Sequence, residues 1–141
     1  MNIVEARGGN KFQRDIAEKV VSYMIKRLMP RHRTLDILVE IRDIKSDAVG
    51  FCMMQERKRE FEIEVDKKQS IAGFVTTIVH EMIHVKQWVR NEMDDGCSGH
   101  IARWKSKKIP ANTDYFDLPW EKEAYRLQDK YSLEIWENEI I

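Results

Sequence analysis

The spacing of apolar positions switches along the chain between a helical and a strand period. From Lys11 to Met29 the residues Phe12, Ile16, Ala17, Val20, Tyr23, Met24 and Leu28 recur at helical intervals. Pro30 ends that predicted helix, because it offers no backbone N–H to continue the ladder. Residues 1–10 hold the breaker Gly8-Gly9-Asn10 and read as loose. Leu35, Ile37, Val39 and Ile41 then alternate with mostly polar neighbours, which predicts a half-buried strand over 34–42. A second strand is expected over 49–55, with Phe51, Met53 and Gln55 on one face and Gly50, Cys52 and Met54 on the other. Glu56-Arg57-Lys58 reads as a hairpin connection. In the third strand Phe61, Ile63 and Val65 point one way and Glu60, Glu62, Glu64 and Asp66 the other. That acidic face suits an edge strand, since charge discourages pairing with another chain.

Ser70 is a candidate N-cap for a helix reaching Val89. Ile71, Val75, Ile78, Val79, Met82, Ile83 and Val85 make it apolar on too many sides for a surface helix, so it should run through the core. Residues 91–112 carry Gly96, Gly99 and Pro110 and read as an irregular excursion. A last helix should start near Pro119, a residue suited to the first helical position, and run through Trp120, Ala124, Leu127 and Tyr131. The pattern predicts one α+β domain over 1–141: an N-terminal helix, a three-stranded, mostly antiparallel sheet, a buried helix and a C-terminal helix.

Composition narrows the function classes. With 43% apolar and 34% charged residues the chain is too apolar for a disordered one. Its 24 basic and 24 acidic residues cancel, so net charge indicates neither nucleic acid nor an anionic membrane as partner. Arg103, Lys105, Lys107 and Lys108 form the best local basic patch, and such runs are usually solvated surface. No apolar run approaches the ~20 residues of a membrane span, and the first residues lack the layout of a secretory signal. Cys52 and Cys97, far apart in sequence, do not read as a disulfide framework, and a reducing cytoplasm is the expected compartment.

The chemistry concentrates in His80-Glu81-Met82-Ile83-His84. Histidines four apart on a helix lie one turn above each other, and two such imidazoles can bind one zinc ion, leaving positions for a third ligand and a water. Glu81 projects beside that face, within reach of the water, as a general base must. The bland alternative is a pair of hydrogen-bonded helix histidines. Downstream, Cys97 and His100 are three apart, and His32 reads as an exposed loop residue.

The motif, on a helix after a sheet, resembles the zincin metallopeptidases. Pro119-Trp120-Glu121-Lys122-Glu123-Ala124 is similar to the third-ligand motif of their gluzincin branch, and the two motifs together resemble small uncharacterised metallopeptidases of phages and bacteria. The resemblance spans about 61–131. It implies a minimal zincin-like domain with His80, His84 and Glu121 as zinc ligands. In that branch an Asp or Asn often follows the alanine; here Tyr125 stands there instead. Glu123 is a lesser alternative ligand. His100 is another, reminiscent of SprT-like proteases, although there the glycine follows the histidine whereas here Gly99 precedes it.

The expected function is a zinc-dependent peptidase acting on a peptide or protein, with Glu81 as base and Tyr115, Tyr125 or Arg126 as candidate oxyanion donors. The Phe61–Asp66 strand resembles the zincin edge strand that pairs with extended substrate, and its acidic side chains hint at basic peptides. Competing readings are a regulator that cuts a single partner and a non-catalytic protein whose zinc holds two helices together.

Overall fold

The computed structural model describes residues 1–96, 99 and 101–141. Its elements run β1 (Ile3–Gly8), α1 (Lys11–Leu28), β2 (Asp36–Arg42), β3 (Gly50–Met54), β4 (Glu60–Asp66) and α2 (Ile71–Val89), then three short strands β5 (Met93–Asp94), β6 (Arg103–Trp104) and β7 (Lys107–Lys108), and finally α3 (Pro119–Glu137). The architecture is α+β, with one sheet ordered β1-β2-β4-β3 and a second ordered β5-β6-β7.

The caps follow local chemistry. Asn10 accepts from the Gln13 amide while the Gln13 side chain returns to the Asn10 amide, so α1 starts with both of those N–H groups satisfied. The Ser70 side chain accepts from the Gly73 amide and starts α2. Pro119 opens α3. In the sheet Ile37, Val39 and Ile41 of β2 and Phe61, Ile63 and Val65 of β4 face the core, where they meet the apolar sides of α1 and α2. Each such side chain contributes roughly 1.5–3 kcal/mol when fully buried.

The sheet differs from expectation in three ways. Residues 3–8 are not loose: they form β1, parallel to β2, with Val4 opposite Ile37 and Ala6 opposite Val39. A strand this short gains its stability from a partner about thirty residues away in sequence and reached through α1, which no local pattern reports. The loop after it depends on Gly8 (φ +79°), where a Cβ would stand 2.1 Å from the Ile41 carbonyl oxygen. Second, the sheet is four-stranded and mixed rather than three-stranded and mostly antiparallel: β1–β2 and β2–β4 are parallel, and only β3–β4 is antiparallel. Third, β4 is an interior strand, and β3 and β1 are the two edges. Alternation tells which face of a strand is wet, whereas edge position concerns the hydrogen-bonding plane at right angles to that face. Glu60, Glu62 and Glu64 lie on the sheet face opposite the core, with Arg42 pairing to Glu64.

The irregular excursion also carries structure. The strands β5 to β7 fold back as an antiparallel trio beyond the end of α2, with Met93 opposite Trp104. His32 is half-buried rather than exposed. No helix among the described residues is long and apolar enough to cross a membrane.

Candidate metal centre

The middle of α2 and the first turn of α3 meet face to face. His80 and His84 stand one turn apart with their rings edge to face, the centroids 4.9 Å from each other. Glu121 sits in the first turn of α3, where the positive end of the helix dipole favours a carboxylate. Its Oε1 lies 3.0 Å from His80 Nε2 and 3.2 Å from His84 Nε2. All three residues are buried, and their ligand atoms fall within 4.8 Å of one another.

The surrounding hydrogen bonds decide what these atoms want. Gln87 is fully buried, and its amide nitrogen donates to the Trp120 carbonyl at 3.0 Å and to Glu123 Oε1 at 3.2 Å. Neither acceptor carries a hydrogen, so the amide is oriented with its Oε1 towards His84 Nδ1, 2.7 Å away. Nδ1 must therefore hold the proton, and the Nε2 lone pair faces Glu121. Gln128 Oε1 lies 2.7 Å from His80 Nδ1, and with Nδ1 as the donor of that bond the His80 Nε2 lone pair also faces Glu121. Two imidazole lone pairs and a carboxylate oxygen converging in a buried place require a cation among them, either a proton on the ring or a metal ion. One carboxylate oxygen and two imidazoles are a donor set that a divalent metal ion can take. The site thus fits a metal with His80, His84 and Glu121 as its protein ligands.

Charge effects point the same way. Burial works against the Glu121 carboxylate, yet the two imidazoles outweigh it and hold its pKa down at about 2. Burial also disfavours a charged His84, but Glu121, Glu81 and Gln87 outweigh it and raise its pKa above the ordinary value. A metal ion would feel the same attraction that raises it.

Glu81 is buried next to this cluster and makes no hydrogen bond to the described residues. Burial pushes its pKa up, only partly opposed by His84 and His80. It opens on a cavity of about 540 Å³ together with His80, Tyr115, Phe116, Tyr125 and Gly50 at the start of β3. An added Cβ at Gly50 would stand 3.3 Å from Glu81 Oε2, so the edge strand passes directly beside this carboxylate.

Tyr115 Oη donates to Glu121 Oε1 at 3.1 Å and lies 3.4 Å from Tyr125 Oη. Burial, followed by the bond with Tyr125, raises the Tyr115 pKa and keeps it a hydrogen-bond donor. The Tyr125 ring packs edge-on against His80 at 4.6 Å. Arg126 is exposed on α3 and does not line the cavity.

His80, Glu81, His84, Glu121, Tyr115 and Tyr125 therefore come together, and Glu123 does not join them. Glu123 accepts instead from Lys86 Nζ at 3.1 Å and from Gln87, behind the histidines. His100 and the Cys97–His100 pair lie outside the described residues. The acidic chains of β4 are on the far sheet face, so they do not line the cleft. Sequence reasoning missed Gln87 and Gln128. Helical spacing carries the signal for both: Gln87 falls three residues after His84, and Gln128 seven after Glu121.

Comparison of the chain with protein-family models, with curated proteins and with solved structures gives no match in any of the three.

Proposed function

We propose that the chain is a zinc-dependent peptidase that hydrolyses an extended polypeptide in the cleft between β3 and α2. The reading is carried by one observation: a buried carboxylate, Glu81, opens on the same cavity as His80, one of the three convergent residues His80, His84 and Glu121, and makes no hydrogen bond to any of them. A purely structural metal site has no use for such a group, and its desolvation would only cost stability.

His80, His84 and Glu121 would hold the ion. When bound, zinc acts as a Lewis acid on the scissile carbonyl and makes water a better nucleophile near neutral pH. Glu81 takes a proton from the attacking water and passes it to the amine that leaves. Its raised pKa brings it closer to the pH at which such a shuttle works in both directions. Tyr115, kept protonated, and Tyr125 beside it are donors for the developing oxyanion. The free edge of β3 offers main-chain groups to the substrate, which would add to the sheet as a further strand. This moves the strand-pairing role from β4, where the sequence had suggested it, to β3.

The test is Glu81→Gln, assayed on a broad peptide library with zinc content and Tm measured alongside. Turnover should fall by at least about a hundredfold while metal content and folding remain. Undiminished cleavage by this variant would remove Glu81 from the chemistry. Many cut sites in the library would mark a general peptidase, and cleavage confined to one partner a regulator.

A further inference from the structure

A second cavity, of about 450 Å³, opens at the far end of the same edge strand. Its floor is apolar, built by Phe61, Trp88 and Val89, and its rim carries Lys58, Arg59 and Arg103. All three cations are exposed. Arg59 donates to Thr34 Oγ1 at 3.5 Å and Arg103 to the Ser106 carbonyl at 3.2 Å, neutral acceptors in both cases. Of the two acidic residues on the wall, Glu92 shares Lys86, at 2.8 Å, with Glu123, and Asp94 lies opposite Arg103 in the β5–β6 register. Positive charge is in excess, and it continues through Lys105 and Lys107 at the tip of the small sheet.

Distances connect this cavity to the metal centre. The strand β3 begins at Gly50, beside Glu81, and ends at Met54, which lines the second cavity. Those four steps span about 13 Å at a strand's rise. Along α2 the eight steps from Glu81 to Val89 span about 12 Å at a helix's rise. Strand and helix therefore run side by side from one cavity to the other, and the outer edge of β3 has no partner strand among the described residues.

We propose that the second cavity is a remote subsite for the same polypeptide, one that selects an acidic side chain about four to six residues from the bond at the metal centre. The inference rests on the peptidase reading for what happens at the other end. A chain added along β3 places one side chain near Glu81 and another in the cationic pocket, where a carboxylate meets Lys58 and Arg59 while its stem lies on the Trp88 and Phe61 floor. Selection there would be electrostatic and would weaken with salt.

The experiment uses the zinc-loaded full chain and two arms. In the first, the binding of fluorescein-labelled ten-residue peptides is compared, one with a Glu-Leu-Glu centre and one with Lys-Leu-Lys, on the wild type and on K58E/R59E. The Glu peptide should bind about tenfold more tightly to the wild type, and the double reversal should abolish or invert that difference. Arg103→Glu, on a different element, should weaken it in the same direction. In the second arm, cuts made in a broad peptide library should be enriched in Asp or Glu at one position four to six residues from the cleaved bond, and K58E/R59E should lose that enrichment without changing the preference next to the bond. Equal binding of both peptides by the wild type, or an acidic preference that survives both reversals with Tm unchanged, overturns the subsite. Failure of the peptidase reading looks different: no library peptide is cut, while the binding difference persists.

Discussion

Gln87 gives the sharpest test of how the candidate metal centre is held. Replacing it with leucine keeps the volume roughly constant and removes every polar contact. His84 Nδ1–H then has no acceptor, while the Trp120 carbonyl keeps its place in the α3 ladder and Glu123 keeps Lys86. A buried group left without a partner costs about 1–3 kcal/mol, so Gln87→Leu should destabilise the apo protein by about that much. That is a large share of the roughly 5–15 kcal/mol typical of a domain. The second effect is on the metal. Without Gln87 the His84 ring is free to take the other tautomer or to rotate, and zinc affinity should fall about 10–100-fold. Gln87→Glu separates the two effects, since a carboxylate still accepts from Nδ1 but donates to nothing and faces Glu123. Its stability should fall while zinc affinity stays close to that of the wild type. Urea unfolding of the apo protein and competition with a chromophoric chelator read the two quantities independently. If Gln87→Leu, still folded, binds zinc as tightly as the wild type, Gln87 does not set the His84 ring and the tautomer argument fails.

Other consequences are equally open to measurement. Glu121→Ala should lower zinc affinity by roughly a hundredfold or more, while Glu123→Ala should keep stoichiometric zinc in metal analysis; the opposite result would exchange their roles, and full zinc in both would turn attention to His100. Gly50→Ala would bring a Cβ to 2.5 Å from Thr77 Cγ2 and 3.2 Å from the Glu64 carbonyl oxygen, so β3 must move away from Glu81; a loss of about 1–3 kcal/mol in thermal unfolding is expected, together with reduced turnover. Glu134 accepts from Arg27 and Tyr23, and the Arg27 bond chiefly holds its pKa below the ordinary value. A depressed carboxylate contributes stability above its unfolded pKa of about 4.3 and loses it as pH falls through the lower folded pKa. Glu134→Gln should therefore destabilise by about 1 kcal/mol at neutral pH and flatten the acid limb of stability in urea midpoints taken from pH 7 to pH 3.

Much of this protein is legible residue by residue. The periods of α1, α2 and α3, the alternation in β2 and β4, the Ser70 cap and the Pro119 start are local properties of a few consecutive side chains, and each element lies where its pattern places it. The pairing of His80 with His84 is local too, since one helical turn is enough to align them. What escaped the sequence is non-local. The strand β1 exists because β2 lies alongside it, reached only through α1, and the edge belongs to β3 because β4 is paired on both sides. Neither fact leaves a mark in the alternation of the strands themselves. Glu121 and Glu123 are nearly equivalent as letters. The way α3 packs across α2 turns one carboxylate to the histidines and the other to Lys86 and Gln87. The proton position on His84 was likewise decided by tertiary contacts, because it follows from a carbonyl of α3 that orients a glutamine of α2. The sequence by itself determined which side chains are candidates for chemistry and on which helix faces they stand. Only the packing of α3 and β3 against α2 decided which of them meet, since that depends on contacts between residues tens of positions apart.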